Sequence, residues 1–575
     1  MKLAEIFKPK LFSSLRNYNK EKFASDAMAG LIVGVIAIPL AIAFGIASGV
    51  GPTEGLVTAV IAGFLISFFG GTKTQIGGPT GAFVVIIYGI IQQFGLSGLI
   101  LATIMAGIIL VLMGLAKLGG IIKFVPYPVV VGFTGGIAVT IFSTQINDFF
   151  GMGLENIPAD FISKWAFYFS NFTSISITSL VVGLISLVII ILTPKVSKKI
   201  PGSLVAILLV TLVVYLLKEF AGLEGVSTIG DRYELPKGLP IPHFPSLELA
   251  PGQTLWSLVQ ALFPAAFTIA ILGAIESLLS AVVADGMTGD KHDSNTELIG
   301  QGIANIIVPF FGGIPATGAI ARTMANINNG AKSPVAGVIH AFVLLLVLLI
   351  LGPLVGYIPM PCLAAVLIMV SYNMSGWKSF VSLSRNPKME FLVLIITFLL
   401  TVIFDLTIAI EIGIFISIVL FLKRTTEETT IKVFKNEINP NDESDIDLHE
   451  EVLIIPNGVE VYEIDGPYFF GIANKFEEVM SEVAEKPKAR VIRMRKVPFI
   501  DSTGIHNLEN LVMNSKKDGV DVILSGVNEN VRRVLDKSGF SNILDYNNIC
   551  PNINIALERT IKIVNDKGAL ENSSI

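Results

Sequence analysis

The chain has 575 residues, of which 52% are hydrophobic and only 15% charged, and its formal net charge is −5. A soluble protein of this length would carry about 25% charged residues, so a wholly soluble chain is excluded. No basic patch with interleaved aromatics offers a nucleic-acid surface, and the two cysteines, Cys362 and Cys550, lie too far apart in sequence and context to suggest an intradomain disulfide.

The first 22 residues are polar and basic, with Lys2, Lys8, Lys10, Arg16, Lys20 and Lys22. They form a segment expected on the cytoplasmic side by the positive-inside rule, with no cleavable signal peptide. Apolar runs follow at 25–46, 53–70, 79–93, 96–116, 127–147, 173–193, 202–218, 257–284, 297–311, 316–328, 333–352, 359–375, 390–404 and 407–422. Fourteen such segments put the lysine- and arginine-rich ends on one side: Lys73, Lys117 and Lys123, Lys195 to Lys199, Lys291, Lys332, Lys378 to Lys388, then Lys423 and Arg424. The expected architecture is therefore an α-helical polytopic membrane protein whose transmembrane region, 23–424, holds fourteen segments as a seven-plus-seven inverted repeat. Both termini are expected in the cytoplasm. An acidic linker, 425–451, leads to a soluble domain at 452–575. There, strand patterns at 459–464, 490–494 and 520–525 alternate with helical ones at 476–483, 503–513 and 530–537, which predicts a mixed sheet with helices packed on it.

Segments 3 and 10 are short, and their entries look alike. One reads Gly77-Gly78-Pro79-Thr80-Gly81-Ala82, the other Gly312-Gly313-Ile314-Pro315-Ala316-Thr317-Gly318-Ala319. A helix that begins inside the bilayer directs unpaired N–H groups and the positive end of its dipole at whatever sits there. Two such starts facing each other would cradle an anion, and paired interrupted segments in two halves point to a transporter's substrate site. Thr80, Gly81, Thr317 and Gly318 are the candidates to line it through N–H and hydroxyl groups. The alternative is that the glycines only allow close helix packing.

Glu276, near the middle of segment 8, is a carboxylate at bilayer depth, where charge is costly and usually faces a cavity or ion path. It is expected to hold a coupling ion, a proton or sodium, with Ser280 one turn later as its companion. The alternative is a carboxylate bonded to backbone amides. Arg322 would either add positive charge near the anion or pair elsewhere. Phe44, late in segment 1, would by itself read as packing. In the soluble domain, Asp501, Ser502 and Thr503 sit at a strand-to-helix turn that suits a helix cap, anion contact or phosphorylation. No G-x-x-x-x-G-K-[ST] run, no metal-ligand spacing and no nucleophile–base constellation is present, so nucleotide-driven transport, a metal site and an enzyme are not expected.

Several stretches resemble the SulP family of anion permeases, related to the animal solute carriers that include prestin. They are Ala37-Ile38-Pro39-Leu40-Ala41-Ile42-Ala43-Phe44-Gly45, Gly70-Gly71-Thr72 with Gly77-Gly78-Pro79-Thr80, Leu298 to Asn305 with Gly312 to Pro315 and Arg322-Thr323, and the STAS-like loop Phe499-Ile500-Asp501-Ser502-Thr503-Gly504. The resemblance implies gate and core domains, an anion held between helices 3 and 10, elevator-like movement and a homodimer in a plasma (inner) membrane. The STAS domain would offer contacts to cytoplasmic partners. It places Thr80, Gly318, Ala319 and Arg322 at the site, with Phe44 closing it. The substrate would be a small inorganic anion, sulfate or bicarbonate. The text is also similar to cyanobacterial sodium-dependent bicarbonate transporters, whose sodium-site positions correspond here to Glu276, Ser280, Gly318 and Ile320. Ile320 offers no side-chain oxygen for a hard cation, so proton symport is expected ahead of sodium. The remaining alternatives are a C4-dicarboxylate transporter and a STAS-based sensor or scaffold with little transport.

Overall fold

The computed structural model describes residues 7–16, 18–120, 126–155, 157–158, 160–196, 201–233, 239–244, 254–350, 352–385, 388–404, 406–438, 453–472, 476, 479 and 486–573. It divides into two compact units, Met1–Ser417 and Ile418–Ile575.

The first unit is helical. Its main helices are α1 (Lys20–Ala47), α2 (Pro52–Phe69), α3 (Gly81–Leu115), α4 (Tyr127–Thr144), α5 (Ile177–Val196), α6 (Gly202–Ala221) and α7 (Leu255–Thr288). They continue with α8 (Ser294–Ile307), α9 (Ile320–Asn328), α10 (Val335–Ile350), α11 (Met360–Met374), α12 (Lys388–Ile403) and α13 (Leu406–Glu428). Every one of the fourteen apolar segments has a helix in it, and among the described residues eight helices are long and apolar enough to cross a membrane. Segments 3 and 4 are one run, α3, broken at Gly95, where φ is 66° and ψ −169°. The sequence spacing treats them as separate crossings; glycine at a positive φ lets the chain change direction without a loop.

The helices sort into two packing groups. In one, α1 packs on α2 and α10, α8 on α2 and α3, and α7 on α3 and α9. In the other, α4 packs on α11 and α12, and α5 on α6 and α11. Contacts between the groups run through α3 with α4 and through α1 with α6 and α11. This grouping arises from small residues. Gly107 and Gly302 meet backbone to backbone between α3 and α8, and Gly132 and Gly136 take Leu394, Thr397 and Thr401 of α12. Small side chains at such crossings let helices approach closely where no hydrophobic force separates them from lipid.

Two short strands lie within the first unit. β1 (Gly77–Gly78) pairs antiparallel with β2 (Thr317–Gly318), Gly77 opposite Gly318 and Gly78 opposite Thr317. Irregular backbone at this depth survives only where it is enclosed by protein and finds hydrogen bonds, and all four residues are buried.

The second unit holds a five-stranded sheet of β3 (Thr430–Phe434), β4 (Val459–Asp465), β5 (Ala489–Lys496), β6 (Asp521–Ser525) and β7 (Ile549–Cys550), in that spatial order. β3 runs antiparallel to β4 and the other neighbours are parallel, so the sheet is mixed as the alternation of strands and helices predicts. The helices are α14 (Ser502–Lys517), α15 (Glu529–Ser538) and α16 (Ile553–Ser573). Tyr462, Ile492, Leu524, Leu508 and Leu535 form its main core. The helix expected over 476–483 falls largely outside the described residues.

Candidate functional site

The ladder between β1 and β2 sets the site. The Gly-Gly-Pro sequence keeps the chain extended up to Thr80, because glycine is a poor helix former and proline disfavours helix in the residue before it. Thr80 has extended backbone angles and caps α3, its hydroxyl accepting from the Ala82 N–H at 3.1 Å. On the other side the Ala319 N–H donates to the Ile76 carbonyl at 2.9 Å, and α9 starts at Ile320. The two helix starts are thereby fastened to the same short ladder.

Both charged side chains of the site reach this ladder. The Thr80 hydroxyl donates to Glu276 Oε2 at 2.9 Å. Arg322 is 2% exposed; its Nη2 donates to the Pro79 carbonyl at 2.7 Å, while Nη1 has no partner. The guanidinium lies against Gly78, whose φ is +152°, and a Cβ there would run into Arg322 Nη1. Glycine is needed at this position on both counts.

A cavity of about 1130 Å³ opens in front of the ladder, between the two packing groups. One wall carries Phe44, Pro79, Thr80, Gly81, Glu276, Ala319 and Arg322; the other carries apolar residues of α4, α5 and α11, among them Phe133, Ile190 and Val366. Phe44, Thr80, Gly81, Ala319, Arg322 and Glu276 are thus brought to one space. Ile320 also lines it and brings only carbon from its side chain.

Thr317, Gly318 and Ser280 stand apart from that space. The Thr317 hydroxyl donates to the Gly273 carbonyl of α7 at 2.8 Å, and the residue is fully buried. Gly318 pairs with Gly77 and backs onto the Gln75 side chain. Ser280 is fully buried behind the ladder and donates to Thr323 Oγ1 at 3.1 Å. Its expected pairing with Glu276 across one turn of α7 is replaced by this contact with α9. Among the described residues no group of three or more His, Cys, Asp or Glu side chains is placed to hold a metal ion.

The sequence reading passes over the residues that fix the ladder from behind. Thr323 Oγ1 accepts from the Ile76 N–H at 3.1 Å, and Asn326 Nδ2 donates to the Thr74 carbonyl at 2.8 Å. Glu297, the second carboxylate of this region, is fully buried. Lying at the edge of segment 9, it reads in sequence as an acidic residue in a helix's first turn.

In the second unit Asp501 caps α14, accepting from the Gly504 N–H at 2.7 Å, and its other oxygen accepts from the Phe470 N–H at 3.2 Å. Ser502 and Thr503 are exposed beside it.

The chain is similar to known proteins along most of its length. Residues 23–397 match the model of the sulfate permease family, and residues 452–556 match the STAS domain. A protein of Bacillus subtilis described as the putative sulfate transporter YvdB is 44% identical over 526 residues, covering 91% of this chain and 95% of that protein. The bicarbonate transporter BicA of Synechocystis is 32% identical over 524 residues, covering 89% and 90%. The murine anion transporter Slc26a9, solved in the inward-facing state, superposes with a TM-score of 0.82 over 96% of this chain and 93% of its own at 19% identity, which speaks for the fold.

Proposed function

The chain belongs to the sulfate permease family, a family of membrane anion transporters and not of enzymes, and from that premise we propose that it is a secondary active transporter of a small inorganic oxyanion, sulfate or bicarbonate, coupled to protons. The observation that carries this is the pair of helix starts locked to one ladder beside the cavity, with Arg322 Nη1 unpartnered next to it. The anion is held by the N–H groups that begin α3 and α9 and by the guanidinium, which is the recognition helix N-termini offer to oxyanions. Phe44 packs over the anion from α1.

Glu276 supplies the proton site. Thr80 ties its carboxylate to the cap of α3, so a proton arriving on Glu276 removes negative charge next to the anion and binding of the two is mutually favourable. Sodium is the weaker reading: Ser280 is engaged with Thr323 and Ile320 brings no oxygen. Transport follows by movement of the packing group that holds the ladder against the other group, an elevator-type exchange of access. The protein acts as a homodimer in the plasma membrane with both termini in the cytoplasm, and the STAS unit offers Ser502 and Thr503 to cytoplasmic partners or to modification.

Uptake of labelled sulfate and bicarbonate into proteoliposomes under an imposed proton or sodium gradient tests this. Proton-driven accumulation that Glu276→Gln abolishes is expected. Sodium-driven uptake indifferent to a proton gradient would overturn the coupling.

A further inference from the structure

Behind the ladder, Glu297 is enclosed by five hydrogen-bond donors. Its Oε2 accepts from the Gly71 N–H at 2.8 Å and from Thr72 Oγ1 at 2.9 Å. Its Oε1 accepts from Gln75 Nε2 at 2.8 Å, Gln301 Nε2 at 2.9 Å and Ser277 Oγ at 3.2 Å. Five neutral donors satisfy an ionised carboxylate without any ion pair. What a merely structural carboxylate does not require is the state of the two amides. Gln75 and Gln301 are 3% and 0% exposed, and the Oε1 of each has no partner. Buried amide oxygens are seldom left so.

We infer that Glu297 is a second proton-accepting group of the transport cycle, with Gln75 and Gln301 as its amide switch. This rests on the proton-coupled reading above and extends it. Turning a side-chain amide over exchanges its NH₂ for its carbonyl at nearly the same place. When Glu297 is ionised the amides present Nε2, as here. When a proton bonds to Oε1, the carboxylic acid becomes a donor, and a reversed amide accepts from it through the oxygen that is now idle. The site therefore holds both forms without orphaning the carboxyl, and no bond other than O–H is made or broken. The proton is taken from water on one side of the membrane and returned to water on the other, so the cycle must bring water to a carboxyl that is enclosed here.

The switch reaches the anion through Gln75. Its Nε2 also donates to Ser277 Oγ at 2.8 Å, and Ser277 follows Glu276 in α7. Its side chain lies directly on Gly318, where a Cβ would collide with the amide. Reversal of this amide thus acts on β2 and on the start of α9. The charged groups around Glu297 are few. From α7 and the turn after it come Glu276, Asp285, Asp290 and His292, with Asp285 paired to His292 at 2.7 Å. From the segment before β1 comes Lys73, paired with Asp290 at 2.6 Å. The turn after α7 also holds Lys291, and the N-terminal segment brings Lys8 and Lys10, whose backbone N–H groups donate to Thr296 Oγ1 and the Gly70 carbonyl. α9 contributes Arg322, α2 only Glu54 at its far end, α3 none before Lys117 beyond its C-terminus, and Asp293 caps α8 itself.

With protons on both Glu276 and Glu297, a sulfate dianion crosses with no net charge. Removing Glu297 alone makes each cycle one charge more negative, whichever anion is carried. The test is anion uptake by the full-length protein in proteoliposomes, with the proton gradient and the potassium–valinomycin potential set independently. Wild type is expected to be driven by protons, and Glu297→Gln to gain stimulation by an inside-positive potential relative to wild type. Unaltered potential dependence in a Glu297→Gln protein that is still proton-driven would overturn the inference while leaving the coupling through Glu276 intact. Absence of proton drive in wild type would instead remove the coupled reading, and this inference with it. Gln301→Met guards against a variant that fails to assemble. It removes one of the five donors that hold the carboxylate ionised and leaves Gln75 to accept from the protonated form, so half-maximal uptake should shift to less acid pH by about tenfold in proton concentration. A uniform loss at every pH would mark Glu297 as structural only.

Discussion

Thr80 and Glu276 lie 196 positions apart in the chain and meet through one hydrogen bond of 2.9 Å. The same hydroxyl oxygen accepts from the Ala82 N–H, so the cap of a half-length helix and a carboxylate at membrane depth share one atom. Whatever changes the charge on Glu276 is felt at the N-terminus of α3.

Thr80→Ala removes both bonds. Loss of an N-cap costs about 1 kcal/mol, so the protein should still assemble, while the dependence of uptake on the proton gradient weakens. Thr80→Ser keeps both bonds and should restore that dependence. A Thr80→Ala protein coupled like wild type would show that the bond to Glu276 is incidental. Thermal unfolding in detergent and gradient-driven uptake measure the two effects.

Arg322→Lys keeps the charge but not the fork. An ammonium satisfying the Pro79 carbonyl has no second, fixed nitrogen to offer an oxyanion. The KM for the anion should rise ~10-fold or more, as expected for loss of a hydrogen bond to a charged group worth about 1.5–3 kcal/mol. Initial rates against anion concentration decide it, and an unchanged KM would place Arg322 outside recognition.

Gly78→Ala puts a methyl where Arg322 Nη1 lies and forces alanine to a φ of +152°. Backbone strain of about 1–3 kcal/mol and displacement of the guanidinium should together abolish uptake while the second unit stays folded. Normal transport would mean that the ladder tolerates rearrangement.

Asp501→Ala in the second unit loses the cap of α14 and the bond from the Phe470 N–H. Stability of that unit should fall by about 1–2 kcal/mol, whereas Ser502→Ala, at an exposed position, should leave it unchanged. Limited proteolysis across a temperature series reads both. Equal protease sensitivity would mean that the cap is redundant.

The half-length entries were legible because glycine, proline and threonine in that order leave little choice to a backbone surrounded by lipid. Glu276 was legible because an isolated carboxylate in a long apolar run has no ordinary explanation. Glu297 was not, since an acidic residue at a helix start is ordinary until its burial is known. The facing of Ser280 and Thr317 was hidden for another reason. One turn of spacing places Ser280 on the face of Glu276, but α9 packs over that face and claims the hydroxyl through Thr323. Likewise Gly95 joins two segments that the apolar pattern separates, because a single positive φ leaves no loop to see.

The ladder is only two residues long on each side, yet it binds together the starts of α3 and α9, one from each half of the chain. A carrier whose cradle came apart to release its cargo would bind differently on the two faces of the membrane. In the movement proposed above the cradle would travel as a single clasp, exposed to one side or the other without being taken apart. Selectivity would then be decided in one place and access in another, so a change that slows turnover need not alter which anion is chosen.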